Sequence, residues 1–191
     1  NDDCEEALPI TEESAVFSTC LATTDGPDEA GQCNIFGYTQ IDSDIWYRYI
    51  ASCHGVATIS LCGSEYDTKL AVYGGNCPSG SGMVLACNDD FCGYQSQVTV
   101  AVSRGAEYLM RIGGYYGVQG RGVLTVYINP ADLNSDCRVD YEDYAYLPGW
   151  WLANGCAAPD WCGKADINHD SVVDLNDLSI LAVHWLDHVL P

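Results

Sequence analysis

The chain has 191 residues, enough for one or two domains. Its 27 acidic residues against 7 basic ones give a formal net charge of −20, which argues against nucleic acid, whose phosphates need basic patches. Eleven cysteines point to an oxidising compartment, and no apolar run is long enough to span a bilayer. None of the cysteines forms a C-x-x-C pair, so zinc-ribbon spacing is absent. The chain begins at Asn1 with no apolar leader and reads as a mature product whose export signal has been removed.

Residues 1–129 alternate short apolar, β-branched and aromatic runs with Gly, Asp, Ser and Asn clusters. The runs fall at 45–51, 56–61, 68–73, 83–86, 97–102, 107–112 and 122–128. Several alternate with period two, which predicts a mainly β region: an antiparallel, jelly-roll-like β-sandwich with one face of each sheet in the core.

Eight cysteines fall here, at 4, 20, 33, 53, 62, 77, 87 and 92, and their even number predicts four internal bridges. Sequence leaves 105 pairings open. Cys53 and Cys62 flank one predicted strand, whose rise of about 3.3 Å per residue puts them beyond disulfide reach. In a meander, Cys53 and Cys77 would fall at the same end of the sheet. Cys87 and Cys92 flank a tight acidic turn and are placed to close locally.

That turn, Asn88, Asp89 and Asp90, together with Asp67, offers oxygens for a third calcium ion. Acids from Asp2, Asp3 and Glu5, or from Asp25, Asp28 and Glu29, are candidates to complete it. Ordinary turn capping by short polar side chains is the plainer reading. Tyr115 and Tyr116, flanked by glycines, are a candidate sugar-stacking surface, against a simple covering role over the sandwich.

The elements SDIWYRY (43–49), YDTKLAVY (66–73), CNDDFCGYQSQVTV (87–100) and the stretch 105–126 resemble a β-sandwich of secreted planctomycete-type proteins, related to the bacterial pre-peptidase C-terminal domain. The resemblance implies a non-catalytic attachment to secreted enzymes or surface proteins.

Asn129-Pro130 ends the last strand and opens a second region, 130–191. Here DLNSDCRVDYED (132–143) is repeated 34 residues later as DINHDSVVDLND (166–177). The first copy supplies Asp132, Asn134, Asp136, Asp140 and Asp143, with the backbone carbonyl of Arg138. The second supplies Asp166, Asn168, Asp170, Asp174 and Asp177, with the carbonyl of Val172. Oxygens at loop positions 1, 3, 5, 7, 9 and 12 suit calcium, a hard cation that takes six to eight of them. Eight aspartates packed this way would repel one another without it. Val139 and Val173, at position 8, are expected to tie the loops together. Leu147, Trp151 and Leu152 recur as Leu181, Trp185 and Leu186, so each loop is followed by a helix and the unit is duplicated.

This duplicated loop-helix pattern resembles a dockerin, the calcium-dependent docking module of secreted bacterial enzymes and surface proteins. The resemblance implies two calcium ions and a protein partner, cohesin-like or another copy of the chain. It implies that loop positions 10 and 11 face that partner: Tyr141 and Glu142, Leu175 and Asn176. These unlike pairs favour one binding orientation.

Three departures stand out. The glycine usual at position 6 is Cys137 or Ser171, each at a cost of about 1 kcal/mol if the backbone turns left-handed. Position 12 is Asp rather than Glu. Pro148 and Gly149 interrupt the first helix and are expected to kink it. Cys137 is expected to pair with Cys156 or Cys162, leaving one thiol over, buried on the plainer reading. Trp151 and Trp185 are expected as core anchors.

No G-x-S-x-G elbow, H-E-x-x-H helix or P-loop is present. His184 and His188 share a predicted helix face, as metal ligands or, more simply, as surface residues near a helix end. The expected function is a secreted, non-catalytic calcium-binding protein of extracellular assembly, docking to a partner or to itself in a surface layer or filament. The rivals are a carbohydrate- or matrix-binding module and an accessory piece of a secreted hydrolase.

Overall fold

A computed structural model describes residues 1–29, 31, 33, 36–80 and 82–186. Its strands are β1 (Leu8–Ile10), β2 (Ser14–Ser18), β3 (Asp42–Ile50), β4 (Gly55–Ser60), β5 (Thr68–Gly74), β6 (Val84–Asn88), β7 (Gln97–Val102), β8 (Glu107–Gly114) and β9 (Arg121–Tyr127). They form two sheets in the orders β1-β3-β8-β5-β6 and β2-β9-β4-β7. All pairings are antiparallel except β1 with β3. The seven predicted runs all became strands. β1 and β2 were not foreseen: β1 is short and contains Pro9, tolerated because it pairs on one side only at the sheet edge.

The period-two pattern sorts the side chains. On β3, Tyr47 and Tyr49 face the inter-sheet core while Trp46 points to the other side. On β8, Met110 and Ile112 face that core and Leu109 does not. Ala57, Ile59, Val98, Val100, Leu124 and Val126 of the second sheet fill the remainder. One expectation fails here. The five-stranded sheet is covered on both faces, because the N-terminal segment and the chain before β3 fold over its outer side onto Trp46, Ala71, Tyr73 and Leu109.

That outer layer holds a buried ion pair. Arg111 Nε donates to Asp44 Oδ2 at 2.7 Å, with both side chains fully buried. The guanidinium also donates to Pro27 O, Gln40 Oε1 and Ile41 O, so its fork is well satisfied. Gly26 packs so closely on this guanidinium that any side chain there would collide with it.

The tail contains α1 (Tyr141–Tyr144), α2 (Leu147–Trp150) and α3 (Leu175–Val183). The helix expected after the first loop is split in two. Pro148 opens the first turn of α2, where a missing N–H costs least, rather than kinking one longer helix. A separate small core joins the two halves: Leu133, Val139, Leu147, Cys156, Ile167, Val173 and Leu181. Trp151 and Trp185 are 41% and 42% exposed, so they do not anchor it. With helices this short, the leucine of each unit, Leu147 or Leu181, reaches the interior and the tryptophan four residues on does not.

The disulfides are Cys4–Cys77, Cys33–Cys87, Cys53–Cys137, Cys62–Cys92 and Cys156–Cys162. Cys53 and Cys62 are indeed unpaired with each other, but the positive pairings expected from sequence are corrected. Consecutive strands β3 and β4 lie in different sheets, so no meander brings Cys53 to Cys77. Cys87, within β6, turns toward Cys33 in the outer layer, while Cys92 reaches back to Cys62 beyond β4. Cys137 does not close within the tail; it crosses to Cys53. The odd cysteine is Cys20, which is exposed rather than buried.

Candidate metal centre

The two tail loops repeat the same backbone N–H bonds to their Asp and Asn oxygens, and differ in that Asn134 Nδ2 donates to Glu142 where Asn168 Nδ2 donates to Asp170. Asp132 accepts from the N–H groups of Asp136 and Cys137, and Asp166 from those of Asp170 and Ser171. Asn134 and Asn168 each accept from the residue two on. Asp136 accepts from Arg138 N, and Asp170 from Val172 N. Asp143 Oδ1 takes the N–H groups of Leu133 and Asn134 while its Oδ2 takes that of Asp140. Asp177 does the same with Ile167, Asn168 and Asp174. Asp140 and Asp174 cap the following helices in capping boxes closed by Asp143 and Asp177.

The backbone repeats as well. Cys137 and Ser171 at position 6 have φ of 74° and 77°, the left-handed shape expected where glycine is usual. Ser135 and His169 at position 4 are also left-handed, which the sequence did not signal. Leu186 N donates to Val139 O, and Leu152 N donates to Val173 O. Each unit thus ends on the other unit's position 8, with both valines fully buried.

The donor set suits a hard cation. Asp143, Asp166 and Asp177 are fully buried. Burial pushes the Asp132 carboxyl up to about 6, against the lowering effect of the Cys137 and Asp136 N–H groups, and raises Asp166 as well. Among the described residues the ion pairs are Arg48–Glu107 and Arg111–Asp44, both in the sandwich. The loop carboxylates therefore have no cationic side chain paired with them. Their oxygens are more widely spread than those of a second cluster: Asp67, Asp89 and Asp90 each bring a carboxylate oxygen within 4.8 Å of the others.

Asn88 does not join that cluster closely, since its Oδ1 accepts from Gln97 N on β7. The N-terminal acids are engaged elsewhere. Asp2 accepts from Thr23, Asp25 from Trp46 Nε1, and buried Glu29 from Tyr73 and Gly82.

Tyr141 and Leu175, the position-10 residues, are 72% and 69% exposed, and Glu142 and Asn176 are exposed beside them. Tyr115 and Tyr116 form a cluster with Tyr38, at 5.3 and 4.8 Å between ring centroids, and Lys69 Nζ lies over Tyr38 and Tyr115. His188 lies outside the described residues. Between sandwich and tail is a cavity of about 280 Å³, lined by Glu13, Tyr127, Pro130, Leu133 and Trp161 among others. Trp161 stacks on His169 at 4.3 Å, and its Nε1 is buried without a partner.

No family model matches the chain, and no curated protein matches it. Among solved structures it is similar to the pre-peptidase C-terminal domain of a collagenase from Bacillus anthracis, at 14% identity and a TM-score of 0.43, covering 66% of this chain and 100% of that one. It is similar to PliG, a periplasmic inhibitor of g-type lysozyme from Aeromonas hydrophila, at 18% identity and 0.38, covering 63% and 93%. A third is CorA, a surface-associated copper-binding protein of Methylomicrobium album, at 9% and 0.37, covering 64% and 98%.

Proposed function

We propose that this chain is a secreted, non-catalytic calcium-binding protein of extracellular assembly. In this reading residues 1–129 form a rigid body and residues 130–191 a dockerin-like module that takes one calcium ion per loop. Asp132, Asn134, Asp136, Asp140 and Asp143, with Arg138 O, hold the first ion. Asp166, Asn168, Asp170, Asp174 and Asp177, with Val172 O, hold the second. The ions supply the positive charge that the loop carboxylates lack. Tyr141 and Leu175, with Glu142 and Asn176, meet a protein partner, cohesin-like or a second copy.

The observation that carries this reading is the repetition, in both loops, of the same backbone N–H bonds to Asp and Asn oxygens, joined by the reciprocal Leu186–Val139 and Leu152–Val173 hydrogen bonds. A lone acidic turn needs no such duplication; a paired cage does. The five disulfides support an oxidising destination such as the cell exterior. Calcium titration of the full chain by calorimetry, followed by chelation, tests the metal half. Binding should give a saturable heat signal, and chelation should lower the helical ellipticity while leaving the β signal. Unchanged helical signal in both conditions would rule it out. Electron microscopy with and without chelator tests assembly, and dispersed monomers in both would end the self-assembly form.

A second reading, a carbohydrate-binding sandwich, rests on the tyrosine cluster at 38, 115 and 116, with Tyr116 73% exposed. Polysaccharide pull-down with the chain and with Tyr116→Ala separates the two.

A further inference from the structure

The sandwich contains an acidic cluster that the tail does not explain. Asp67 immediately precedes β5; Asp89 and Asp90 follow β6 on the turn that leads to β7. One carboxylate oxygen from each lies within 4.8 Å of the other two. Asp89 is only 2% exposed, and its Oδ1 is buried with no hydrogen-bond partner. Asp67 Oδ1 is buried and unpartnered too. A buried carboxylate oxygen without a donor is costly, and three converging carboxylates repel. Turn capping does not account for this, since a capping oxygen would be accepting an N–H.

Lys69, two residues on from Asp67, is the internal counter-charge: burial still leaves the Asp89 and Asp67 carboxyls raised, although the lysine's field lowers both. Its hydrogen bonds go elsewhere, Nζ donating to Tyr38 O at 2.9 Å and Gln40 O at 3.2 Å. Among the described residues it makes no ion pair with the three aspartates. The frame around them is rigid. Ser96 Oγ is 2.6 Å from Thr68 O and 2.9 Å from Asp89 O, and Asn88 Oδ1 accepts from Gln97 N. Disulfides Cys33–Cys87 and Cys62–Cys92 pin the turn on either side. The carboxylates therefore cannot move apart cheaply.

We infer that Asp67, Asp89 and Asp90 form a calcium site within the sandwich, separate from the tail loops. All three donors are hard oxygens carried on a fixed frame, and calcium accepts an irregular shell completed by carbonyls and water. The ion links the lead into β5 to the β6–β7 turn. Because β6 and β7 belong to different sheets, it also fastens one sheet to the other at that end.

The test counts ions on the full chain by native mass spectrometry in calcium chloride, for the unaltered protein, Asp89→Asn and Asp90→Asn. Each variant is expected to hold one ion fewer than the unaltered chain. The count is a difference, so it reads the sandwich site whatever the tail loops hold. Asp89→Asn removes an unpaired buried charge and is also expected to melt higher than the unaltered chain in chelator. An unchanged count in a folded Asp89→Asn overturns the proposal. If that variant does not fold, the exposed Asp90→Asn decides by the same criterion.

Discussion

The sandwich and the tail solve the same problem with different chemistry. The sandwich buries large apolar side chains between two sheets, and the largest of its fully buried charged groups, Arg111, is matched by Asp44 and three further acceptors. The tail has a much smaller core, and its chain path is fixed by aspartates gripping backbone N–H groups. Apolar packing is indifferent to ions, whereas a carboxylate scaffold is only as firm as the charge that neutralises it. The two regions should therefore answer differently to mutation, reduction, chelation and acid.

The largest effect is expected on the sandwich side. Arg111→Met strands Asp44 as a buried unpaired carboxylate, which should cost about 3–5 kcal/mol. Urea melts should show the β signal lost early; a loss under about 1 kcal/mol would mean that the pair is not the fixed point described above. Removing the bridge between the regions comes next. Cys53→Ala with Cys137→Ala opens a link across 84 residues and should cost about 2–4 kcal/mol. Proteolysis should then cut the tail before the sandwich.

Asp177→Asn sharpens the contrast on the tail side. Its new NH₂ faces the Asp174 N–H, so two donors meet where a bond existed, at a cost of about 1–3 kcal/mol. Helical ellipticity should melt earlier while the β transition stays put. The smallest effect is one of pH. Asp132 and Asp89 are both pushed up to about 6 by burial, from an ordinary 3.8. The folded, metal-free chain thus takes up protons that the unfolded chain does not, so its stability should rise as pH falls from about 6 toward 4. With calcium present the sign should reverse, because protons displace the ion. Melting curves in chelator and in calcium across that range would show two opposite slopes.

The strands and the loops were legible for the same reason: both repeat. Alternation marked β3 to β9, and aspartate spacing marked both loops down to the strained position 6. What repeats locally says nothing about which distant segment lies alongside. The sheet order, the crossing of Cys53 to Cys137, and the cover over Trp46 and Tyr73 all depend on non-local packing. Arg111 sits in a run, YLMRI, that reads as plain strand, and its partner Asp44 is 67 residues away. Trp151 and Trp185 misled because helical spacing assumes helices long enough to have an inner face, and here the first is broken at Ala145–Tyr146. The Asp67, Asp89 and Asp90 cluster was half visible. The acids were noticed, but which neighbours converge on them, and that Asn88 turns to Gln97 instead, required the fold.

The Cys53–Cys137 bridge places a covalent strut at the sixth position of the first loop, the left-handed residue on which that loop turns. The tail consequently is no pennant trailing on a thread. A pull on the tail would pass into the sandwich at two points, through the peptide after β9 and through sulfur just before β4. Such a joint resists twisting as well as stretching, and mechanical wear at this corner would begin with reduction of a single bond.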